Sequence, residues 1–280
     1  MKPFRLFFFS LILLFSCGKK EVENTPQKPP NILFLIADDW SYPHAGVYED
    51  RVVRTPTFDR LAKEGALFTN AYTASPSCSP SRASILLGRY PHQNEAGGNL
   101  WSEFPAQYPT YVRILEKAGY FTGSTRKGWG PGEFLVSGLT HNPAGKQFED
   151  FKTFLDQRPK DQPFTFWFGS SDPHREYETN TGIQSGMKLS DVIVPGFFPD
   201  NDCVRNDILD YYFEIERFDR ECGQLIRKLE EIGELDNTII VMTSDNGMPF
   251  PRAKANLYDL GTRMPLVIRW PAKAKAGTVI

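Results

Sequence analysis

From Asn31 onward, short apolar runs alternate with longer amphipathic stretches. Asn31-Ile-Leu-Phe-Leu-Ile-Ala37 is apolar throughout between Pro30 and Asp38, the pattern of a strand covered on both faces. Thr238-Ile-Ile-Val-Met-Thr243 and Phe164-Thr-Phe-Trp-Phe168 repeat that pattern, and Tyr120-Phe-Thr-Gly-Ser-Thr125 makes a fourth segment. From about Asp207 to Leu235, the residues Ile208, Tyr211, Ile215, Phe218, Cys222, Leu225, Leu229 and Ile232 recur every three or four positions with charges between them. That spacing predicts one long amphipathic helix serving as a packing element. Thr57 to Glu64 and Tyr111 to Ala118 predict shorter covering helices. Strands alternating with helices, with no internal repeat, predict an α/β fold: a mainly parallel sheet sandwiched by helices.

Each predicted strand runs into polar residues. Open parallel sheets bind ligands outside the carboxyl ends of their strands, so those residues are the first place to look for chemistry. Asp38 and Asp39 follow the first strand, and Asp245 and Asn246 follow the Thr238 strand. Each pair alone fits either a backbone turn or a cation site. Together they offer three carboxylates and an amide oxygen, hard ligands suited to Ca²⁺, less so to Mg²⁺, and poorly suited to zinc. The Phe164 strand leads to Asp172, His174 and Arg175, and the Tyr120 segment leads to a glycine-rich loop carrying Arg126 and Lys127.

Cys78-Ser-Pro-Ser-Arg82 adds a nucleophile at a helix start. Pro80 suits the first turn, Ala83 to Leu87 continue the helix, and Gly88 suits its stop. Free N–H groups at such a start favour an oxyanion, and Arg82 lies four residues on. A buried cysteine in a proline-initiated helix is the plain alternative.

The ends change the cellular picture. Residues 1–16 have a basic start and an apolar run from Leu6 to Phe15, as in a secretory signal. Leu14-Phe15-Ser16-Cys17-Gly18 resembles a bacterial lipobox, which implies cleavage before Cys17, a lipid on that cysteine, and a polar tether over residues 17–30. An ordinary cleaved signal with an incidental cysteine is the alternative. The expected location is the bacterial cell envelope, as a periplasmic or outer-membrane lipoprotein held to the membrane by its lipid alone. Losing residues 1–16 removes Lys2 and Arg5, so the formal charge moves from −2 to −4. Such a chain has no global basic field, which argues against nucleic-acid binding and asks for a local cluster to hold any polyanion. Cys203 and Cys222 are expected to be free and buried.

Cys-x-Pro-x-Arg, as it stands at Cys78 to Arg82, resembles the signature of the type I, formylglycine-dependent sulfatases. Asn31 to Asp39, Cys78 to Gln93, Gly119 to Gly132, Ser171 to Arg175 and Asp236 to Gly247 follow in the order expected of that family. The resemblance implies an alkaline-phosphatase-like core over residues 31–280, with the C-terminal subdomain of the family missing. It implies that a formylglycine-generating or other sulfatase-maturing enzyme oxidises Cys78 to formylglycine. By the same resemblance Asp38, Asp39, Asp245 and Asn246 bind one Ca²⁺ together with residue 78. Arg82 and Lys127 would then hold the formylglycine and sulfate oxygens, while His174 and Lys254 contact the sulfate and its leaving group.

Within the family, Ser171-Asp-Pro-His-Arg175 and the run from Asp245 to Gly261 look like the N-sulfoglucosamine sulfohydrolases, which remove N-sulfate from heparan-type glycans. On that resemblance Asp172 and Arg175 contact the sugar. An O-sulfatase acting on a glycosaminoglycan ester and a non-catalytic glycan-binding lipoprotein are the other readings. One position departs from the pattern. Many sulfatases carry a histidine two residues after the lysine matched by Lys127, where this chain has Trp129, and an indole cannot accept a proton.

Overall fold

Residues 28–280 are described in the computed structural model; the expected signal segment 1–16, Cys17 and the tether up to residue 27 lie outside them. The strands are β1 (Asn31–Ala37), β2 (Ala66–Tyr72), β3 (Ser102–Glu103), β4 (Phe121–Arg126), β5 (Gly132–Glu133), β6 (Phe164–Gly169), β7 (Thr238–Ser244), β8 (Arg263–Arg269) and β9 (Thr278–Val279). The helices are α1 (Pro56–Glu64), α2 (Cys78–Leu87), α3 (Tyr111–Lys117), α4 (Phe151–Gln157), α5 (Thr181–Gln184), α6 (Asp202–Glu231) and α7 (Asp259–Thr262).

Seven strands form one sheet in the order β4-β6-β1-β7-β8-β2-β9. The neighbours β4, β6, β1 and β7 run parallel, β8 runs antiparallel to β7 and β2, and β9 pairs parallel with β2. β3 and β5 make a separate two-stranded ribbon. The α/β sandwich expected from the sequence is therefore present, with one reversed strand, β8, that the apolar runs do not announce.

Side-chain alternation along β1 divides the core. Leu33, Leu35 and Ala37 pack on one face with Phe58 and Leu61 of α1, Phe154 of α4 and Phe218 of α6; Ile36 packs on the other with Ala83 and Leu86 of α2 and Val112 of α3. The long helix is real but displaced toward the N-terminus. Asn201 caps it by accepting the Val204 N–H at 3.0 Å, so it begins at Asp202 rather than near Asp207. Cys203 then falls in the exposed first turn, ahead of the buried stripe, and the expectation that it is buried is corrected; Cys222 is buried, and both are free. α6 also caps α1, since Asp219 accepts the N–H groups of Thr57 at 2.9 Å and Phe58 at 2.8 Å.

The parallel register brings the strand ends level. Arg126 pairs with Gly169, Ile36 with Gly169, and Ala37 with Ser244, so the loops that leave β4, β6, β1 and β7 emerge side by side. Gly169 is needed there, because a Cβ at that position would fall on the Lys127 carbonyl. Among the described residues no helix is long and apolar enough to cross a membrane.

Candidate active site

The first turn of α2 enters this edge between the loops of β1, β4 and β7. Cys78 to Arg82 are all buried, and the helix closes where Gly88, at φ 62°, donates its N–H to Ser84 at 2.9 Å. Asp38 Oδ1 and Lys254 Nζ each stand 3.4 Å from Cys78 Sγ. Lys254 also bonds Asp39 Oδ2 at 2.7 Å, and Lys127 Nζ makes an ion pair with Asp38 Oδ2. His174 Nε2 lies 3.9 Å from Asp39 Oδ2, while its Nδ1 meets the Arg175 carbonyl at 2.5 Å. A carbonyl only accepts, so Nδ1 carries the hydrogen and Nε2 is the atom turned to the site.

Asp245 is the most tightly held of these groups. Its Oδ1 accepts the N–H groups of Asp39 at 3.1 Å and Asn246 at 2.8 Å, and its Oδ2 accepts Arg82 Nε at 2.7 Å. Its backbone oxygen takes the hydroxyls of Ser81 at 2.5 Å and Thr73 at 2.8 Å, so α2 and the β7 loop are pinned together. Arg82 is wholly buried; its Nη1 donates to the carbonyls of Lys127 and Gly128, both at 2.9 Å, and its Nη2 to that of Ala37 at 3.5 Å. It lies beneath the carboxylates instead of facing outward. Lys127 and Lys254, with side chains 22% and 23% exposed, are the cations open to an incoming anion.

Charge and burial set the protonation states. Burial alone would raise the Asp38 carboxyl, but Arg82 and Lys127 outweigh it and hold that group well below the ordinary carboxylate range. Asp39 has no such guanidinium partner. Burial, then the charges of Asp38 and Asp245, push it up to about 6. Burial, followed by the Asp245 and Asp38 charges, pushes the Cys78 thiol up to about 12, so as an unmodified cysteine it is a neutral thiol at pH 7 and a poor nucleophile.

The oxygen atoms fit a hard dication. Carboxylate oxygens of Asp38, Asp39 and Asp245 come within 4.8 Å of one another. Beside them Asn246 Oδ1 is buried without a hydrogen-bond partner, although its Nδ2 bonds Asp39 Oδ1 at 2.5 Å. Three converging carboxylates and an orphaned amide oxygen are a donor set for Ca²⁺ or Mg²⁺.

The structure places Asp172 and Arg175 differently from the sugar contacts implied by resemblance. Asp172 is buried, and Arg217 of α6 grips both its oxygens at 2.6 Å, while its backbone carbonyl receives the Asp38 N–H at 2.8 Å. Arg175 forks onto Asp207 at 2.8 and 2.5 Å, donates to the Pro249 carbonyl at 2.9 Å, and lies over the rings of Tyr177 and Phe250. An arginine with its fork filled acts by holding the loop that carries Lys254. Arg175→Ala is therefore expected to lower kcat/KM about tenfold for sugar and aryl sulfates alike. A loss confined to the sugar substrate, in parallel assays of both, would restore the sugar-contact reading.

Sequence reasoning missed Arg217, Glu214 and Asp207, because the apolar period of α6 marks it as packing. The available signal was charge inside the buried stripe. Glu214 is buried beside Asp172 and pairs with Arg217; burial first, then the Asp172 charge, push its carboxyl up to about 7. A carboxyl raised in the folded state contributes stability below its unfolded pKa of about 4.3, and that contribution is lost as pH rises through the folded value. Asp39 and Asp219 are raised to about 6 and burial raises Asp245 as well, so substitution at Glu214 is what isolates its share of the limb. The thermal midpoint should fall between about pH 6 and about pH 7.5, and Glu214→Gln should flatten that limb in a Tm series. An unchanged slope would assign the titration elsewhere.

Trp129 is buried and donates its indole N–H to the Ser79 carbonyl at 3.0 Å, so it braces the first turn of α2 and serves no proton-transfer role.

Comparison with known proteins agrees with this geometry. The chain is 32% identical to the N-sulphoglucosamine sulphohydrolase of Homo sapiens, over 89% of this chain and 56% of that protein. It is 29% identical to an ulvan-active sulfatase of Formosa agariphila, over 93% of this chain and 51% of that one. The chain thus spans about half the length of the curated relatives it matches. A solved structure in complex with its substrate D-glucosamine-2-N,6-O-disulfate superposes with a TM-score of 0.70 at 23% identity, covering 90% of this chain and 73% of the other, and so shares the fold. The sulfatase family profile matches residues 30–133 and 144–279. With that profile over most of its length and the Cys78 to Arg82 signature set among three converging acids, the chain belongs to the sulfatase family.

Proposed function

We propose that this protein is a formylglycine-dependent sulfatase that removes N-sulfate from glucosamine residues of heparan-type glycans. The observation that carries the sulfatase chemistry is the convergence on Cys78 Sγ of Asp38 and Lys254, with Lys127 beside them. The N-sulfate assignment is supported by the run from Asp245 to Gly261 and by the similarity to the human sulphohydrolase.

Asp38, Asp39, Asp245 and Asn246 would hold a divalent cation, Ca²⁺ in preference to Mg²⁺. The matured residue 78 would supply a hydrated aldehyde: one hydroxyl would attack sulfur as the S–N bond breaks, and loss of the proton from the other would expel sulfate and restore the aldehyde, the cation serving to lower the pKa of the attacking hydroxyl. Once the carboxylates serve the cation, the ammonium groups of Lys127 and Lys254 are left to neutralise the sulfate oxygens as charge develops. Arg82 pairs with Asp245 and holds it in place from below. His174 holds its ring by Nδ1 and presents Nε2, at a side chain 42% exposed; in the imidazolium form, with both ring nitrogens protonated, Nε2 would give its proton to the departing amine.

The same proposal covers the cellular setting. Residues 1–16 act as a signal, Cys17 carries the lipid, and residues 31–280 carry the chemistry at the cell envelope, after a maturing enzyme has acted on Cys78. The test is sulfate release from N-sulfoglucosamine and from its 6-O-sulfated isomer. Release from the first is expected; release from the second alone would replace the N-sulfate reading with an O-sulfatase one.

A further inference from the structure

Arg252 stands two residues before Lys254, on the loop that delivers the Lys254 ammonium to Cys78. Its guanidinium lies over two rings, 5.4 Å from the centre of Phe197 and 5.0 Å from that of Tyr258. Both rings are exposed, at 43% and 55%, and Arg252 is exposed with them. Among the described residues no carboxylate meets it, whereas the arginines nearest the site are all matched: Arg82 with Asp245, Arg175 with Asp207, and Arg217 with Asp172.

The Arg252 platform is continuous with the wall of the active site. Phe197 packs on Phe198 at 4.5 Å, Phe198 on Phe250 at 6.0 Å, and Phe250 carries Arg175, the neighbour of His174. Stacking between rings orders a guanidinium while leaving its N–H edge free, and a fork ordered in that way suits a carboxylate or sulfate. Two residues span at most about 7 Å of backbone, so Arg252 is on the rim of the same opening as Lys254.

We propose that Arg252 is a second anion-binding position on this rim, which recognises an acidic substituent of the substrate other than the sulfate that is removed. The inference rests on the sulfated-glycan reading above and narrows it to substrates carrying two acidic groups close together. The second group is either another sulfate on the same sugar or the carboxylate of an adjoining uronate.

Calorimetric titration of a Cys78→Ala protein, which cannot turn substrate over, tests this with three ligands: N-sulfoglucosamine, glucosamine N,6-disulfate and an N-sulfated disaccharide bearing a uronate. Adding Arg252→Gln should weaken one of the two doubly acidic ligands roughly tenfold relative to N-sulfoglucosamine, the loss expected for one charge-assisted contact. The ligand that suffers identifies the second group. Arg252→Lys, which keeps the charge without the planar fork, should fall between the two proteins. Equal affinities with and without Arg252→Gln, or an equal loss for all three ligands, would overturn the assignment while leaving the glycan reading intact. If the Cys78→Ala parent bound none of the three, the glycan reading itself would fail and take this inference with it.

Discussion

Replacing Cys78 with alanine is expected to remove sulfate release, lowering kcat/KM by about 10⁴-fold or more, while the cation affinity stays close to that of the parent. The side chain at 78 is the only group in the site that maturation can turn into a nucleophile. Asp38, Asp39, Asp245 and Asn246 all remain to hold the cation. The thiol itself, pushed up to about 12, gives no activity to lose in unmatured protein. Assays of sulfate release and calorimetric titration with Ca²⁺ separate the two properties. Near-wild-type turnover by Cys78→Ala would rule out the covalent route.

Asp245→Ala should lose activity, cation binding and stability together. Arg82 has no exposed surface, and Asp245 Oδ2 at 2.7 Å is its close carboxylate partner, Asp38 Oδ1 standing farther off at 3.8 Å. Removing one member of a buried pair leaves an uncompensated charge, at a cost of about 3–5 kcal/mol. The same change removes the acceptor that fixes the Asp39 backbone at 3.1 Å. Urea unfolding should therefore show a lower midpoint for Asp245→Ala than for Cys78→Ala. Equal midpoints would mean that Arg82 finds other compensation. Asp245→Asn, which keeps an acceptor for Arg82 but not the charge, should fall between them in stability and remain poor in cation binding.

The parts of the fold legible from sequence are those whose cause is local. β1, β6 and β7 are covered on both faces, so each is a largely apolar run, and β1 and β7 end abruptly in acids. β2 and β8 break that rule. β2 carries Thr69 and Asn70 and shifts register between Phe68 and Ala71; β8 contains Pro265 and ends in Arg269, a nearly buried arginine paired with Glu64 and Asp236. The reversal of β8 is set by which strand it pairs with, a long-range fact that no local pattern carries. The ends of four parallel strands were enough to locate the site, because a parallel register forces them together.

The roles of single arginines were harder to read. Arg82 looks like an exposed clamp four residues into a helix, yet that face of α2 turns inward and buries it. Arg175 reads as a substrate contact, yet Asp207 and Phe250, which with the nearby Tyr177 fill its surroundings, come from segments distant in sequence. Arg217 lies in a helix whose period speaks only of packing, and its partner Asp172 is 45 residues away.

The most direct test of the central claim joins mass spectrometry of the Cys78 peptide to an assay of the same preparation. Protein from a host that matures sulfatases should show that peptide lighter by about 18 Da than the thiol form, since other oxidations of cysteine add mass. The fraction converted should track the rate of sulfate release from one preparation to the next. Full sulfate release by protein whose Cys78 peptide carries only the unmodified thiol would contradict the account.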